Sequence, residues 1–418
     1  MSAENSQSST VYSQLPDGYK QTDVGIIPKD WFVEILEHLS TKIGDGIHST
    51  PEYVESSTFY FINGNNLINN SVKITENTKC VSEKEYRKYQ LKLTDKTILL
   101  SINGTIGNLA YYNDEPVILG KSAAYINIKK SISKDFIFYF LQTETIKQYF
   151  EDELTGSTIR NLSLKSIRNA PIKLPPFNEQ QAIAEALGNV DALITSLDGL
   201  ITKKRNIKQG TIQLLLTGKK RLAGFSGDWE TKNLGEVTEF ANGRPYENFV
   251  KDNGSYNLIT LDSIGINGKL KKEHKRIDFI DNSLRKDDIV IILSDIAYGG
   301  LLGLCDLIPN DGEYNLNQRV GRLRAFAGVF PEYLRLQINF RQDYFRKRGQ
   351  GTSQRHIYKR DINALSIPIP KADEQKAIAQ ILSDIDAEIE ALEKKREKYK
   401  AIKQGMMQEL LTGKTRLI

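Results

Sequence analysis

This chain contains one amphipathic stretch twice, as EQQAIAEALGNVDALI at 179–194 and as EQKAIAQILSDIDAEI at 374–389. The offset of 195 residues holds without a gap from Gly156/Gly351 to Leu222/Leu417, and about half of the paired positions after 179 are identical. A repeat of this length predicts two related halves, each built on the same supersecondary unit. Neither copy contains a group of residues typical of a catalytic site.

Each copy of the stretch predicts a long helix. Asn178 and Asp373 stand at the expected N-cap positions after prolines, and Glu179 and Glu374 in the first turn favour the helix dipole. Apolar residues then recur at spacings of three and four, as in a coiled-coil seam. The predicted seam is Ile183, Leu187, Val190, Ile194 and Leu197 in the first helix, and Ile378, Leu382, Ile385, Ile389 and Leu392 in the second.

A helix from 178 to about 216 would be roughly 58 Å long, which is too long for one small domain to cover. The predicted partner of each helix is therefore the other copy; the alternative is that each helix packs on its own half. Antiparallel pairing would place the two remaining blocks of the chain at opposite ends of the rod, whereas parallel pairing would bring them together.

The blocks before each helix have diverged more than the helices. Short runs rich in β-branched and aromatic residues predict strands at 59–62, 97–102, 123–128 and 288–293, and helices are predicted at 135–152 and 331–346. We therefore predict an α+β (mixed) fold with two globular blocks in an internal repeat, separated by two long helices that pair as a coiled coil, and these residues do not set the direction of the pairing.

Composition and motifs exclude several function classes. Two cysteines, Cys80 and Cys305, cannot make a disulfide framework, and the polar N-terminus does not resemble a signal peptide, so a cytoplasmic location is expected. The TGKT at 412–415 lacks the glycine that a phosphate-binding loop requires, and four scattered histidines predict no zinc site. We expect no catalytic residue, no metal ligand and no cofactor in this chain.

Charge is concentrated in one segment of a chain whose net charge is only +5. Residues 315–360 contain eleven Lys or Arg against two acids, Glu332 and Asp343. A solvated basic face is the simple interpretation, but interleaved Gln and aromatic residues favour contacts to phosphates and bases.

The duplicated motifs resemble the specificity subunit of type I restriction-modification systems. The resemblance is carried by LPPFNEQQAIAEAL with LLTGKKRL, by IPKADEQKAIAQIL with LLTGKTRL, by the DW that opens each block, and by GDGIHSTP at 44–51. It covers the chain from about Gly18 to the C-terminus. It implies two globular target recognition domains, separated by two long helices that form an antiparallel coiled coil. It also implies a DNA-reading subunit without catalytic activity, which binds an asymmetric bipartite target in double-stranded DNA.

The resemblance also implies partners and boundaries. The expected partners are two methyltransferase subunits and restriction subunits, with no membrane, and S-adenosylmethionine, magnesium and ATP are expected only on those partner subunits. The predicted parts are a disordered tail (1–17), target recognition domain 1 (18–175), spacer helix 1 (176–217), target recognition domain 2 (218–370), spacer helix 2 (371–413) and a C-terminal tail (414–418).

Polar side chains on predicted loops are the candidates for DNA contact, because Arg reads guanine and Asn or Gln reads adenine. In the first half they are His48, Ser49, Thr50, Asn63, Asn65, Asn103, Thr105 and Arg160. In the second half they are Asn242, Arg244, Tyr246, Gln318, Arg319, Arg322, Arg346, Lys347, Arg348, Gln354, Arg355 and Lys359. For the repeated Gly156 and Gly351, closure of the domain is the alternative role.

Two other functions remain open at this stage. The chain could be a stand-alone bipartite DNA-binding regulator that uses its helices for spacing, or a coiled-coil adaptor that does not bind DNA.

Overall fold

A computed structural model of the chain describes residues 15–156, 160–295 and 300–417. The predicted N-terminal tail therefore lies almost entirely outside the described residues. The fold consists of two compact units: the first runs to Leu197 and resumes at Lys395, and the second is Asp198–Lys394. The long helices are Phe177–Leu215 and Ala372–Leu410, and each contributes one part to each unit.

Among its described residues, the first unit contains two main sheets and five short helices besides the ends of the long ones. Its six-stranded sheet has the order Ser40–Asp45, Ala123–Ile128, Thr97–Ser101, Leu109–Tyr111, Asn70–Val72, Leu67–Ile68. Its four-stranded sheet has the order Val117–Leu119, Phe59–Ile62, Cys80–Val81, Tyr53–Val54. Two further pairs are Tyr19–Thr22 with Gly25–Pro28 and Phe32–Ile35 with Pro171–Leu174. The helices are Leu36–Leu39, Glu83–Tyr89, Lys134–Phe140, Glu144–Asp152 and Leu164–Arg168, with a 3-10 turn at Gly64–Asn66.

The second unit repeats this plan with fewer strands. Its four-stranded sheet has the order Thr238–Asn242, Val320–Ala325, Ile289–Ile292, Cys305–Leu307, and its three-stranded sheet has the order Lys275–Ile277, Tyr256–Ile259, Tyr314–Leu316. Two further pairs are Glu230–Asn233 with Ser366–Ile369 and Ser294–Asp295 with Arg355–His356. The helices are Leu234–Val237, Pro331–Phe340, Gln342–Arg348 and Lys359–Asn363, with 3-10 turns at Glu247–Phe249 and Leu261–Ser263.

The predicted mixed α+β class is confirmed, and the predicted strands form the cores. Thr97–Ser101 is buried along its whole length and pairs antiparallel with Ala123–Ile128. Ile289–Ile292 holds the matching place in the second unit, antiparallel to Val320–Ala325. Strands that are apolar on both faces can only lie in the interior of a domain, which explains their uninterrupted β-branched sequences.

The long helices run antiparallel to each other within each unit. In the first unit Asp191 pairs with Lys403 at 2.8 Å, while Ile183 and Leu187 pack with Leu410. In the second unit Lys208 pairs with Asp386 and Lys204 with Glu388, so numbers rise along one helix as they fall along the other. The predicted antiparallel pairing is confirmed.

The seam residues also pack on the blocks, so the two predicted modes of helix packing occur together. Ile183 and Leu187 belong to the core that contains Phe136 and Phe138. Ile378 and Leu382 likewise belong to the core of the second unit. The helix starts are held by their own blocks, which fixes the rotation of each helix about its axis.

The repeated Glu-Gln pair at each helix start is a structural anchor. Glu179 is 4% exposed; it accepts a hydrogen bond from Trp31 Nε1 (3.0 Å) and pairs bidentately with Arg416 (2.7 and 2.8 Å). The Arg416 guanidinium also binds Asp30 and lowers the pKa of that carboxyl. Gln180 accepts from Ser133 N and donates to the carbonyl of Pro175.

The second unit contains the same anchor. Glu374 accepts from Trp229 Nε1 (3.0 Å) and pairs bidentately with Arg221 (2.6 and 2.6 Å). Gln375 accepts from Phe330 N and donates to the carbonyl of Pro370. A bidentate guanidinium and an indole satisfy a buried carboxylate fully, which is why this residue set is repeated.

The predicted N-caps are each displaced by two residues. The helices begin at Phe177 and Ala372, so Asn178 and Asp373 lie inside the first turn instead of preceding it. The buried Gln180 and Gln375 side chains reach back to the carbonyls before each helix, and this anchoring sets the starting residue.

Candidate nucleic-acid interface

A tight backbone turn in the first unit brings three loops to one sheet edge. Strands Phe59–Ile62 and Val117–Leu119 run parallel, and Gly120 N donates to the carbonyl of Ile62 (2.8 Å) just past their ends. Gly46 lies against them so closely that a Cβ there would be 2.0 Å from the Leu119 oxygen. Only glycine permits this approach, and it presents the following residues, 48–50, at the surface.

The polar candidates of the first unit gather at this edge. Ser122 Oγ donates to Asn63 Oδ1 (2.9 Å), which holds the Asn63 amide in place, while Asn65 is exposed beside it. A shallow concavity is lined by Asn63, Asn65, Asn103, Gly104, Thr105 and Ser122. The structure therefore brings together four of the predicted DNA-contacting residues on one surface.

The remaining candidates of the first unit lie at the margins of this surface. His48, Ser49 and Thr50 are exposed, and His48 Nε2 lies 2.8 Å from Asp45 Oδ2. Arg160 precedes Asn161, which forms a β-bridge to Asn103. The Arg160 guanidinium pairs with Glu151 at 3.0 Å. An exposed pair of this kind contributes little stability, so the arginine can exchange it for a phosphate at small cost.

The second unit contains the same turn with different side chains. A Cβ on Gly243 would be 1.9 Å from the Asn317 oxygen, and Asn317 N donates to the carbonyl of Ile259 (3.0 Å). Arg244 N donates to the Leu316 carbonyl, and Gln318 N donates to the Arg244 carbonyl (2.7 Å). The two units therefore present side chains from one backbone frame.

Two of the four exposed candidate side chains on this second frame are cationic. Asn242, Arg244, Gln318 and Arg319 are exposed around the turn. Arg319 has φ of 70°, a left-handed backbone conformation that non-glycine residues rarely adopt. Strain of this kind is concentrated at functional sites, so it favours a role for the Arg319 side chain.

Two candidates of the second unit are engaged within the fold. The Arg322 side chain is 10% exposed, pairs with Glu239 at 3.0 Å and donates to the Ser283 carbonyl. Tyr246 donates its hydroxyl to Asp281 Oδ2 (2.9 Å), and burial raises its pKa. Both residues support the loops, and their assignment to DNA contact stays a prediction.

The basic segment 315–360 is only partly a surface. Arg324 pairs with the buried Asp288 at 2.7 Å, and Arg335, 11% exposed, pairs with Glu332. Arg335 also lies 3.6 Å from Asp306 Oδ1 on the strand Cys305–Leu307, so it joins its helix to the sheet. Counting charges along the sequence therefore overestimates the cationic surface, because ion pairs formed in the fold do not show in the count.

The remaining candidates of the second unit lie on the helix Gln342–Arg348 and in the segment after it. Arg346 donates to Gln342 Oε1 and to the Gly300 carbonyl, Lys347 is exposed, and Arg348 stacks on Tyr344 at 3.6 Å. Gln354 and Arg355 are half-buried, and Lys359 is exposed at the start of Lys359–Asn363.

The repeated loop before each long helix has a structural glycine. Gly156 and Gly351 have φ of 95° and 114°, and a Cβ on Gly351 would be 2.0 Å from the Gln354 oxygen. Domain closure, the alternative role for this pair, therefore accounts for the glycines. Residues 157–159, within the first copy of this loop, lie outside the described residues.

Comparison with known proteins identifies the family. The family model for the type I restriction modification DNA specificity domain matches residues 28–207 and 226–401. The chain belongs to this family. It is 27% identical over 352 residues to the type I restriction enzyme MjaVIII specificity subunit of Methanocaldococcus jannaschii, covering 78% of this chain and 82% of that protein.

Further similarities extend over most of the chain. The StySPI specificity subunit of Salmonella potsdam is 22% identical, covering 88% of this chain and 85% of that protein. The crystal structure of a type I restriction-modification S subunit from M. genitalium has a TM-score of 0.60 at 15% identity, covering 91% and 96% of the two chains. At that identity the likeness concerns the fold.

Three residues that sequence reasoning missed support the loops of the candidate surfaces. In the first unit, Asn66 Oδ1 accepts a hydrogen bond from Asn63 N, and Ser122 Oγ donates one to Asn63 Oδ1. In the second unit, Asn317 Oδ1 accepts a hydrogen bond from Tyr246 N. Asn63 and Asn66 form a capping box around Gly64–Asn66, and their spacing of three was a readable signal. Ser122 and Asn317 had no such signal, because their partners are distant in sequence.

No helix within the described ranges is both long and apolar enough to cross a lipid bilayer.

We expect Arg355→Ala to weaken recognition of one half of the DNA target. Arg355 begins the short strand Arg355–His356, which pairs with Ser294–Asp295. The pairing fixes the backbone position from which the Arg355 side chain can reach DNA. Loss of one bidentate base contact costs about 1 to 3 kcal/mol. Competition binding with duplexes altered in either half of the target measures the effect; unchanged affinity and selectivity would contradict the assignment of this loop.

Proposed function

We propose that this chain is the sequence-reading subunit of a type I restriction-modification enzyme, and that its two units read two unlike half-sites of one bipartite DNA target. The observation that carries the proposal is the duplicated glycine turn at Gly46 and Gly243. One backbone frame presents Asn and Thr side chains in the first unit but Arg and Gln side chains in the second. The backbone turn is the same in both units, but the side chains it presents differ. Because the side chain determines which base is recognised, the two units are suited to two different base sequences.

The antiparallel helices support a fixed separation between the half-sites. Each helix has 39 residues, about 58 Å at the usual rise per residue. Half-sites on one face of B-DNA lie about 34–36 Å apart per helical turn, which is within the length of one such helix. The unread spacer of the target would then depend on helix length.

The chemistry of the enzyme belongs, in this proposal, to other subunits. Two methyltransferase subunits bind the helices, because two similar helix surfaces suit two copies of one partner, and restriction subunits join for cleavage. S-adenosylmethionine, magnesium and ATP are held by those partners, and this chain contributes DNA binding and scaffolding without catalysis. The complex works in the cytoplasm, where it meets chromosomal DNA.

DNA binding by the purified full chain tests the proposal against its alternatives. A mobility-shift assay compares the chain alone with the chain co-purified with the methyltransferase of the same system. We expect tight, sequence-selective binding only with the methyltransferase present. Equal selectivity of the chain alone would indicate the stand-alone regulator, and no affinity for DNA in either form would indicate the adaptor.

A further inference from the structure

Each unit contains a 3-10 turn at the edge of its candidate surface. In the first unit the turn is Gly64–Asn66. Asn63 N donates to Asn66 Oδ1 (3.0 Å), and Lys73 N donates to the Asn66 carbonyl (2.8 Å). These hydrogen bonds fix the backbone of the turn and leave its middle residue, Asn65, exposed in the shallow concavity of the first unit.

The second unit contains the same turn at Leu261–Ser263. Thr260 N donates to Ser263 Oγ (2.9 Å), and Lys271 N donates to the Ser263 carbonyl (2.9 Å), so each of these hydrogen bonds has a counterpart in the first unit. The middle residue of this turn is Asp262, which is exposed. The repeat therefore places an asparagine and an aspartate, side chains of nearly the same shape, at one equivalent position.

The fold does not use either of these two side chains. Asn65 and Asp262 make no hydrogen bond and no ion pair with another residue that the structure describes. For Asp262 this has a cost, because phosphates repel a carboxylate on a surface that binds DNA. The aspartate therefore weakens binding to every DNA sequence unless a base donates a hydrogen bond to it.

We propose that Asn65 and Asp262 read one base each in the major groove, and that Asn65 selects adenine whereas Asp262 selects cytosine. This inference rests on the proposed function and adds to it the base that is read at one position of each half-site. An asparagine amide presents one acceptor and one donor, which match adenine N6 and N7. A carboxylate presents acceptors only, so it accepts from cytosine N4 and is repelled by the acceptor atoms of the other three bases.

An arginine lies at the position next to this turn in the second unit. In the first unit Gly64 N donates to Ser122 Oγ (2.9 Å), so residue 122 abuts the turn. Ile102, just after the central strand, donates its N–H to the Ser122 carbonyl (2.9 Å). In the same way Leu293 N donates to the Arg319 carbonyl (2.9 Å), so Arg319 is the counterpart of Ser122. The exposed Arg319 guanidinium can donate to guanine N7 and O6 while the carboxylate accepts from the paired cytosine.

The chain offers a matched control for each substitution. Asn113 and Asp287 are exposed, and neither side chain makes a hydrogen bond with another residue in the described ranges. Asn113 follows Leu109–Tyr111 at the end opposite to the reading loops, and Asp287 precedes Ile289–Ile292 at the corresponding end. Asn113→Asp and Asp287→Asn therefore change the charge in the same way, away from the candidate surfaces.

Selection of bound duplexes from a library of random sequence measures the preferred base at each position. The full-length chain, co-purified with the methyltransferase of the same system, is compared with its Asn65→Asp, Asp262→Asn and two control variants. We expect Asn65→Asp to exchange one adenine for cytosine in one half-site, and Asp262→Asn to exchange one cytosine for adenine in the other. Each preference should change by about tenfold or more, as for one good base contact. Both controls should select the wild-type sequence.

The possible outcomes separate this inference from the proposed function. If the wild-type complex selects two unlike halves and neither substitution exchanges a base, the inference is overturned and the proposed function stands. Weaker binding of the same sequence by the two variants would also overturn the inference, because it would assign both residues to the shape of the turn. A wild-type complex that selects no sequence, or one continuous motif, would overturn the proposed function itself. Circular dichroism establishes that each variant is folded.

Discussion

Arg416→Met should lower the stability of the first unit by about 3 to 5 kcal/mol, the usual cost of leaving a buried charge without its partner. The substitution removes both guanidinium contacts to Glu179, whose carboxylate is 4% exposed and would retain only the Trp31 indole as a donor. Calorimetry of the full-length chain measures the change in the free energy of unfolding. The unfolding transition of the second unit, which contains neither Arg416 nor Glu179, serves as an internal reference.

Two further variants separate the buried charge from the general loss of an arginine. Glu179→Gln combined with Arg416→Met should recover most of the stability, because the amide still accepts from Trp31 and carries no charge. Arg205→Met removes an exposed pair with Glu393 and should cost less than about 1 kcal/mol. An equally small loss for Arg416→Met would show that the anchor is dispensable.

Gly46→Ala should abolish reading of the first half-site while the second is still read. The added Cβ would lie 2.0 Å from the Leu119 oxygen and 2.5 Å from the Gly120 oxygen, both backbone atoms that cannot rotate away. The turn must open, and the loops that contain Asn63 and Asn103 separate. We expect about 100-fold weaker specific binding, since one half-site supplies several base contacts at about 1 to 3 kcal/mol each.

The mirror variant and a control complete this experiment. Gly243→Ala should affect only the second half-site, because its Cβ would lie 1.9 Å from the Asn317 oxygen. Gly199→Ala, in open space on a helix, should bind as wild type does. Competition with duplexes mutated in one half-site at a time measures each effect. Equal losses at both half-sites for either variant would contradict the assignment of one unit to each.

The long helices and most core strands were predictable because their signals are local. The seam periodicity and the β-branched runs lie within short windows, and the helices Phe177–Leu215 and Ala372–Leu410 begin and end within one to three residues of their predicted bounds. The direction of the pairing was not predictable in this way, because the seam periodicity is the same in parallel and antiparallel pairs. The antiparallel expectation rested on the family resemblance.

The candidate site was predictable only as a set of loops. Asn63, Asn65, Asn103 and Thr105 were chosen as polar loop residues, and the fold brings them together. The glycine turns were missed, because a close approach between Gly46 and Leu119 joins residues far apart in sequence. The burial of Arg322 was missed for the same reason, since its partner Glu239 lies on a neighbouring strand.

The anchor residues show why a repeated motif need not be catalytic. Glu179 and Glu374 are repeated because each closes one unit through a tryptophan and an arginine from distant parts of the chain. The sequence contained all three residue types in both copies, at nearly constant offset, but only the fold places them within hydrogen-bonding distance.

Methylation sequencing of host DNA tests most directly whether two units read two unlike half-sites. Cells that contain the complete system with the wild-type chain, or with Arg244→Ala and Arg319→Ala together, are compared for the positions of methylated bases. The account predicts one motif of two different halves with a constant gap, and relaxed sequence at one half alone in the variant. A single continuous motif, or a variant in which both halves change, would contradict it.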